Sequence, residues 1–397
     1  MRIVQLTSDW RPNGGAATYV RLLSRSLARA GHDVLVVHPE TNGPTETPVP
    51  GVTVRSVPAG FSAGVDAGSL AGAAELDGVL AAFTPDVVHV HGVNSVALEE
   101  RIRRRYRMIR TIHVYEFCPS GTKYHFALDR ACVYDTTLWC LPRQAYLRCT
   151  LSKRPGVWWR QYRRAAAGNQ HNRSCDTIVA SEYVKREAVR TGFDPARVTV
   201  VPYFVEPVAA PSAPLGQTVL FVGRVAREKG ADVLIDALAS LKSPWRCVIA
   251  GDGIDLPHVR RVVRERRVTD RVECAGWLNG DALAAAYDRA AVVVMPSRWP
   301  EPFGITGLEA FSRGRPVVAF GVGGIPEWLD DGVSGCVVPP GDTRALAARV
   351  AWLLAHRDQA AAMGARGRER VARDFSAARH LAQLVPLYSR LPEPARG

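Results

Sequence analysis

The sequence predicts an α/β protein built from two doubly wound domains facing across a cleft. Three observations carry this. Short continuous apolar runs alternate with segments of helical periodicity from Arg2 to Tyr203, and the alternation starts afresh at Thr218. Apolar runs of that kind suit strands of a parallel sheet covered by helices on both faces. Between the two series lies EPVAAPSAPLGQ, Glu206–Gln217, whose Pro, Ala and Gly content reads as a linker. The expected boundaries are 1–205, a linker at 206–217, a second domain at 218–375, and a C-terminal helix at 376–397 returning to the first domain.

The elements follow in order. Arg2–Ser8 is a buried strand, followed by the loop DWRPNGG. Ala17–Ala30 places Val20, Leu23 and Leu27 on one helical face, with Gly31 at the C-cap. Strands are expected at Asp33–His38, Val52–Val57, Asp86–His91 and Met108–Val114. The rhythm breaks over an insertion at about 115–172, rich in Cys, Arg and aromatic residues. It resumes with a strand at Asp176–Ala180, a helix from Tyr183 and a strand at Arg197–Tyr203. The second series has strands at Thr218–Val222, Arg246–Ala250, Arg271–Cys274, Ala291–Met295, Pro316–Phe320 and Gly335–Val338. The last segment has helical periodicity through Leu381, Leu384 and Tyr388, with Pro386 disturbing its final turn.

Composition narrows the function. With 47% hydrophobic and 22% charged residues, the chain has the balance of a globular protein with real cores. No run approaches the roughly 18 apolar residues of a membrane span. MRIVQLTSDW reads as a first strand rather than a signal peptide, so a cytoplasmic location is expected. Eight Cys in 397 residues is not a disulfide scaffold. The net charge of +13 favours acidic partners such as nucleotides or phosphates.

Three strand ends of the second series carry chemistry. After Thr218–Val222 comes GRVAREKG, Gly223–Gly230, with Arg224 and Lys229 in one strand-to-helix loop. A planar guanidinium and a point-charge ammonium together suit a diphosphate. After Arg246–Ala250 comes GDG, in which Gly251 permits close backbone approach. After Ala291–Met295 comes RWPEPFGITGLEAF, Arg298–Phe311. Pro300 and Pro302 stiffen the loop carrying Glu301. Phe303, Gly304 and Ile305 would present backbone N–H groups at a helix start, which binds anions. Glu309, about one turn on, can accept from a vicinal diol such as a ribose. The spacing suits one extended ligand with a diol, phosphates and a second hydroxylated group, which describes a nucleotide sugar.

With Asn13-Gly14-Gly15, His113, AGWLNGDALAAAYDRA and GVGGIPE, these segments resemble the retaining glycosyltransferases of family four, which have the GT-B fold of two Rossmann-like domains. The motifs occur in family order and span nearly the whole chain. The resemblance implies transfer of a hexose from a nucleotide sugar to an acceptor hydroxyl, with retention. It implies that Arg224 and Lys229 grip the donor pyrophosphate, that Glu301 faces the sugar hydroxyls, and that Glu309 holds the ribose. Phe303, Gly304 and Ile305 are expected at the sugar and phosphates, and Trp277 and Leu278 at the base, largely through backbone. Gly15 is expected at the diphosphate and His113 at the sugar. No metal or other cofactor is expected for catalysis, in keeping with the lack of an Asp-x-Asp motif. A UDP-sugar is the expected donor, ahead of GDP-, ADP- or TDP-sugars. The acceptor is a glycan, lipid-linked or small-molecule hydroxyl. The chain departs from the family at Tyr203-Phe204-Val205-Glu206, where an Asn-Gly turn and then Asp are usual.

The insertion holds Cys118, Cys132, Cys140 and Cys149. Structural zinc, ordinary thiols and a disulfide are all open, because the spacing lacks a C-x-x-C pair. From Arg143 to Arg173 there are eight basic residues and no acidic one, with Tyr146, Trp158, Trp159 and Tyr162 among them. That pattern suits peripheral contact with an anionic membrane face, or an acidic acceptor. EERIRRRYRMIR, Glu99–Arg110, adds a second basic segment. No nucleic-acid-binding motif appears. A nucleotide-sugar epimerase and a non-catalytic binding protein are the alternative readings. A nicotinamide oxidoreductase is disfavoured, because no G-x-G-x-x-G links a strand to a helix.

Overall fold

The computed structural model describes residues 1–10, 14–40, 49–58, 73–93, 95–150, 152–208 and 216–393. Asn13 and linker residues 209–215 lie outside the described residues. The chain divides into two compact units. One holds Met1–Leu128, Cys132–Tyr203 and the segment from Ala377; the other holds Asp129–Ala131 and Phe204–Ser376.

The first unit is built on a parallel seven-stranded sheet. Its strands are β1 (Arg2–Thr7), β2 (Asp33–Pro39), β3 (Val52–Val57), β4 (Val87–His91), β5 (Met108–Ile112), β6 (Thr177–Val179) and β7 (Val198–Val200), in the order β3-β2-β1-β4-β5-β6-β7. Val4, Leu6, Leu35, Val37, Val88 and Val90 are buried in its core. These are the Val- and Leu-rich runs of the sequence, as burial on both faces requires. β5 pairs directly with β6, Arg110 opposite Thr177, so the insertion leaves and re-enters at neighbouring strands. The strand expected at Arg197–Tyr203 is only Val198–Val200. Pro202 has no N–H to continue a ladder.

The helix Ala377–Arg390 packs in this unit and runs through Pro386. The proline forfeits one helical hydrogen bond, but His380, Leu384 and Tyr388 are buried on one face and hold the helix together.

The second unit has a parallel six-stranded sheet. Its strands are β8 (Thr218–Val222), β9 (Arg246–Ala250), β10 (Val272–Gly276), β11 (Ala290–Met295), β12 (Val317–Phe320) and β13 (Gly335–Val338), in the order β10-β9-β8-β11-β12-β13. The strand order reverses between β8 and β11, which lie side by side with Val219 opposite Val292. In open α/β sheets the crevice beyond the carboxyl ends at such a reversal is where ligands bind. GRVAREKG follows β8, and the loop carrying Glu301 follows β11.

Candidate active site

Two glycines bring the loops of the second unit together. Gly230 has φ +72°, and a Cβ there would lie 2.0 Å from the Pro296 carbonyl oxygen. Only glycine lets the β8 loop lie this close to the β11 loop. Gly251 plays the same part between β9 and β8. A Cβ on it would lie 1.8 Å from the Gly223 oxygen, while Val225 N–H donates to the Asp252 carbonyl at 2.8 Å.

The β8 and β11 loops are then tied three ways. Arg298 N–H donates to the Glu228 carbonyl at 2.8 Å. The Arg298 guanidinium pairs with Asp232 at 2.8 Å. Lys229 Nζ donates to both carboxylate oxygens of Glu301, at 2.7 and 3.0 Å. The Lys229 ammonium also lies 4.7 Å from the centre of the Trp299 ring.

Glu301 is buried and also accepts from the Ser297 hydroxyl. Burial alone would push its pKa up. The Lys229 charge and the hydrogen bonds from Lys229, Ser297 and Trp299 outweigh that and hold it below the usual carboxylate value. Glu301 is therefore an anion at neutral pH and acts only as an acceptor. Arg224 is different. Its side chain is 62% exposed and pairs with Glu228 at 2.9 Å, an ion pair weak enough for a ligand to compete with.

The helix Ile305–Ser312 begins at Gly304, with φ +90°, and no side chain caps it. Trp328 Nε1 donates to the Phe303 carbonyl at 2.6 Å and fixes the turn before it. Glu309 is half-buried within this helix. Its Oε2 accepts from the Tyr287 hydroxyl at 2.7 Å. Burial raises the Glu309 pKa, partly offset by Tyr287 and by Arg313. Tyr287 comes from the helix Gly280–Arg289, which follows the turn holding Trp277 and Leu278; the Trp277 side chain is exposed.

Tyr287 and Ser297 were not singled out in the sequence. One is a helix residue in an Ala-rich run, the other a serine in a loop, and neither has a spacing that marks it. Their role follows only from what they touch.

In the first unit Gly15 opens the helix Gly15–Arg29, after an uncapped Gly14. His113 follows β5 and is buried, with both ring nitrogens engaged. His91 Nε2 is 2.6 Å from Gln5 Oε1, His91 Nδ1 is 3.1 Å from His113 Nε2, and His113 Nδ1 is 2.6 Å from the Tyr203 hydroxyl. With Gln5 oriented so, its carbonyl oxygen accepts from His91. His91 Nδ1 then accepts from His113, and His113 Nδ1 accepts from Tyr203. Burial lowers the His113 pKa to about 3, so the ring is neutral. Tyr203, the residue at the departure from the family pattern, completes this chain.

The basic segment Glu99–Arg110 is not wholly a surface feature. Arg110 lies in β5, buried, and pairs with Glu99 at 3.2 Å and Glu116 at 2.6 Å. Cys118, Cys132, Cys140 and Cys149 line one cavity of the first unit.

Both halves of the chain match family descriptions. "Glycosyltransferase Family 4" matches residues 13–208 and "Glycosyl transferases group 1" matches residues 212–370. A D-inositol 3-phosphate glycosyltransferase of Xylanimonas cellulosilytica is 30% identical over 415 aligned positions, covering 96% of this chain and 94% of that protein. The chain belongs to glycosyltransferase family 4. The family assignment makes it a retaining glycosyltransferase with the GT-B fold, and the epimerase and binding-protein readings are set aside. A glycogen synthase of Mycobacterium tuberculosis is 29% identical over 405 positions, covering 94% of this chain and 91% of that enzyme. Among solved structures, Anabaena HepE in complex with UDP and glucose superposes with a TM-score of 0.75 at 18% identity, covering 98% of this chain and all of that one. Among the described residues, no helix of this family member is long and apolar enough to cross a membrane.

Proposed function

We propose that this enzyme uses a UDP-sugar, without a metal ion, to glycosylate a hydroxyl of a glycan, lipid-linked or small-molecule acceptor. The observation that carries the reading is the Lys229–Glu301 pair at the reversal of the second sheet, with exposed Arg224 on the same loop as Lys229. A diphosphate seated there draws Lys229 and Arg224 from their carboxylate partners. Glu301, released from Lys229, accepts hydrogen bonds from sugar hydroxyls. Glu309 has one oxygen taken by Tyr287 and turns the other to the ribose diol. The backbone of Phe303, Gly304 and Ile305 lies against sugar and phosphates, that of Trp277 and Leu278 against the base, and Gly251 lets the ligand approach the chain. Gly15 meets the diphosphate, and neutral His113 lines the sugar, accepting from a sugar hydroxyl at Nδ1 only where the Tyr203 hydroxyl gives way.

In the reaction the bond from the anomeric carbon to the phosphate oxygen breaks, and a bond to the acceptor oxygen forms on the same face. The acceptor proton passes to the leaving phosphate. Arg224 and Lys229 offset the charge growing on that phosphate, so positioning and electrostatics supply the catalysis. The UDP bound to HepE supports a uridine donor here. The test is calorimetric titration with UDP, GDP, ADP and TDP, each with and without EDTA. UDP is expected to bind most tightly and without regard to EDTA. Preference for another diphosphate would reassign the base, and loss of binding in EDTA would refute the metal-free clamp.

A further inference from the structure

Four thiols outside the donor site converge. Cys118, Cys132, Cys140 and Cys149 line a single cavity of about 20 Å³, beside His125 and Arg143. None of the four is in a disulfide. They come from separate turns of the insertion: Cys118 after β5, Cys132 further on, Cys140 at the start of the short helix Cys140–Tyr146, and Cys149 just beyond it.

Tyr115, Phe117, Tyr124 and Phe126 are buried at the start of the insertion, but beyond them apolar side chains turn outward. Val133, Leu138 and Trp139 are 66%, 61% and 70% exposed, while Cys118 and Cys149 are buried. Between Cys132 and Cys149 the large apolar side chain that is buried is Leu147, and modules with so little core of their own rely on a covalent or metal staple. Three of the thiols have only long contacts to backbone carbonyls, 3.6 Å for Cys149, 3.7 Å for Cys140 and 3.9 Å for Cys132, and Cys118 Sγ lies 3.3 Å from the Ser120 hydroxyl. Cations stand close by. Arg143 lines the cavity and lies 3.8 Å from the centre of the Tyr134 ring, and buried Lys123 donates to the Tyr134 carbonyl at 3.0 Å. Arg143 offsets part of the net negative charge of a tetrathiolate, while the Lys123 charge is already paired with Glu187 at 2.9 Å.

We propose that these four cysteines bind one zinc ion as a structural tetrathiolate that pins the insertion. Four S–H protons leave to solvent, each sulfur donates a pair to Zn²⁺, and the centre carries a net charge of about −2. The cavity admits one guest the size of a water molecule or a single ion, and not a cubane iron–sulfur cluster. A zinc tetrahedron with bonds of about 2.3 Å needs sulfurs about 3.8 Å apart. Among the described residues, the group of potential ligands already within 4.8 Å of one another is Glu99, His171 and Cys175, which is closed by the Arg110 ion pair. The four cavity sulfurs stand wider and draw inward on binding, which couples the metal to the order of the segment.

The test uses the full chain, expressed with zinc and purified without chelator. Elemental analysis is expected to give one zinc per chain. X-ray absorption is expected to show four sulfurs at about 2.3 Å. Cobalt-substituted protein should display the intense visible bands of tetrahedral thiolate coordination. Cys132→Ser and Cys140→Ser should lose the ion, whereas Cys247→Ser and Cys336→Ser in the second unit should keep it. Since removing a staple can unfold the first two variants, the wild-type absorption and cobalt spectra decide the matter without them. Stoichiometric iron, disulfides found by mass spectrometry, or metal-free protein with four freely reactive thiols would each overturn the proposal. None of these readouts depends on nucleotide binding.

Discussion

Lys229 and Glu301 lie 72 residues apart in sequence and 2.7 Å apart in space. The link exists because β8 and β11 are neighbours at the reversal of the sheet, so the loops after them open on the same edge. A buried carboxylate holds a lysine in readiness, and each neutralises the other until a charged ligand arrives.

Lys229→Ala should lower turnover about 10²–10³-fold while donor affinity changes less, because the lysine serves charge that grows in the transition state. The substitution also leaves Glu301 buried without its cation, at a cost of about 3–5 kcal/mol. Lys229→Met, which keeps the packing, and a melting curve for each variant separate the two effects. A normal rate in stably folded protein would remove Lys229 from the reaction.

Glu309→Ala should weaken binding of the free nucleoside diphosphate by about 1–3 kcal/mol, and Tyr287→Phe by about 1 kcal/mol. Calorimetry reads both. Unchanged affinity in Glu309→Ala would show that the ribose is held elsewhere.

Gly230→Ala should destabilise the second unit by at least about 2 kcal/mol, since it adds positive-φ strain to a steric clash. Urea unfolding would give the value. Wild-type stability would mean that the Pro296 loop yields at little cost.

Four buried histidines make the first unit sensitive to acid. Burial lowers the pKa of His89, His91, His113 and His380, to about 3 for His113 and about 4 for His380. A histidine with a depressed folded pKa contributes stability that is complete above its unfolded value near 6.5. That contribution is lost as pH falls toward the folded value. Each adds a slope of up to about 1.4 kcal/mol per pH unit. Glu116, raised by burial to about 7, and His171, raised to about 9 against burial by Cys175 and Glu99, act in the opposite sense, but they are two groups against four. Urea midpoints should therefore drop from about pH 7 to 5, and His380→Asn should flatten the drop. A flat wild-type profile would mean that these rings carry charge in the native state.

The exposed Tyr146 and Trp159, set among the basic residues of 143–173, and exposed Trp139 just before them suit an anionic bilayer surface. Sedimentation with phosphatidylserine vesicles should carry the protein down at low salt and release it at high salt, with Trp159→Ala weakened. Equal sedimentation with neutral vesicles would argue against the electrostatic contact.

Most strands were legible because Val- and Ile-rich runs have few alternatives in a two-sided sheet. Arg224, Lys229, Glu301 and Glu309 were legible because their residue types sit at strand ends and a helix start. The direct Lys229–Glu301 contact was not, since it depends on strand order, which no local pattern encodes. His113 shows the same limit. It read as a sugar-lining residue, but its partners Gln5, His91 and Tyr203 come from three other segments, and only the folded sheet reveals that both nitrogens are engaged. Tyr287 was silent because a tyrosine in an Ala-rich helix looks like packing.

The insertion departs from β5 and returns at β6, two strands hydrogen-bonded to each other and so only about 5 Å apart. Its endpoints are therefore already joined by the sheet, whatever the segment between them contains. Such a segment is an interchangeable cassette. Its length and chemistry can drift between those fixed ends as long as the bonds it makes back to the sheet, such as Arg110 of β5 to Glu116 and Asn172, are kept.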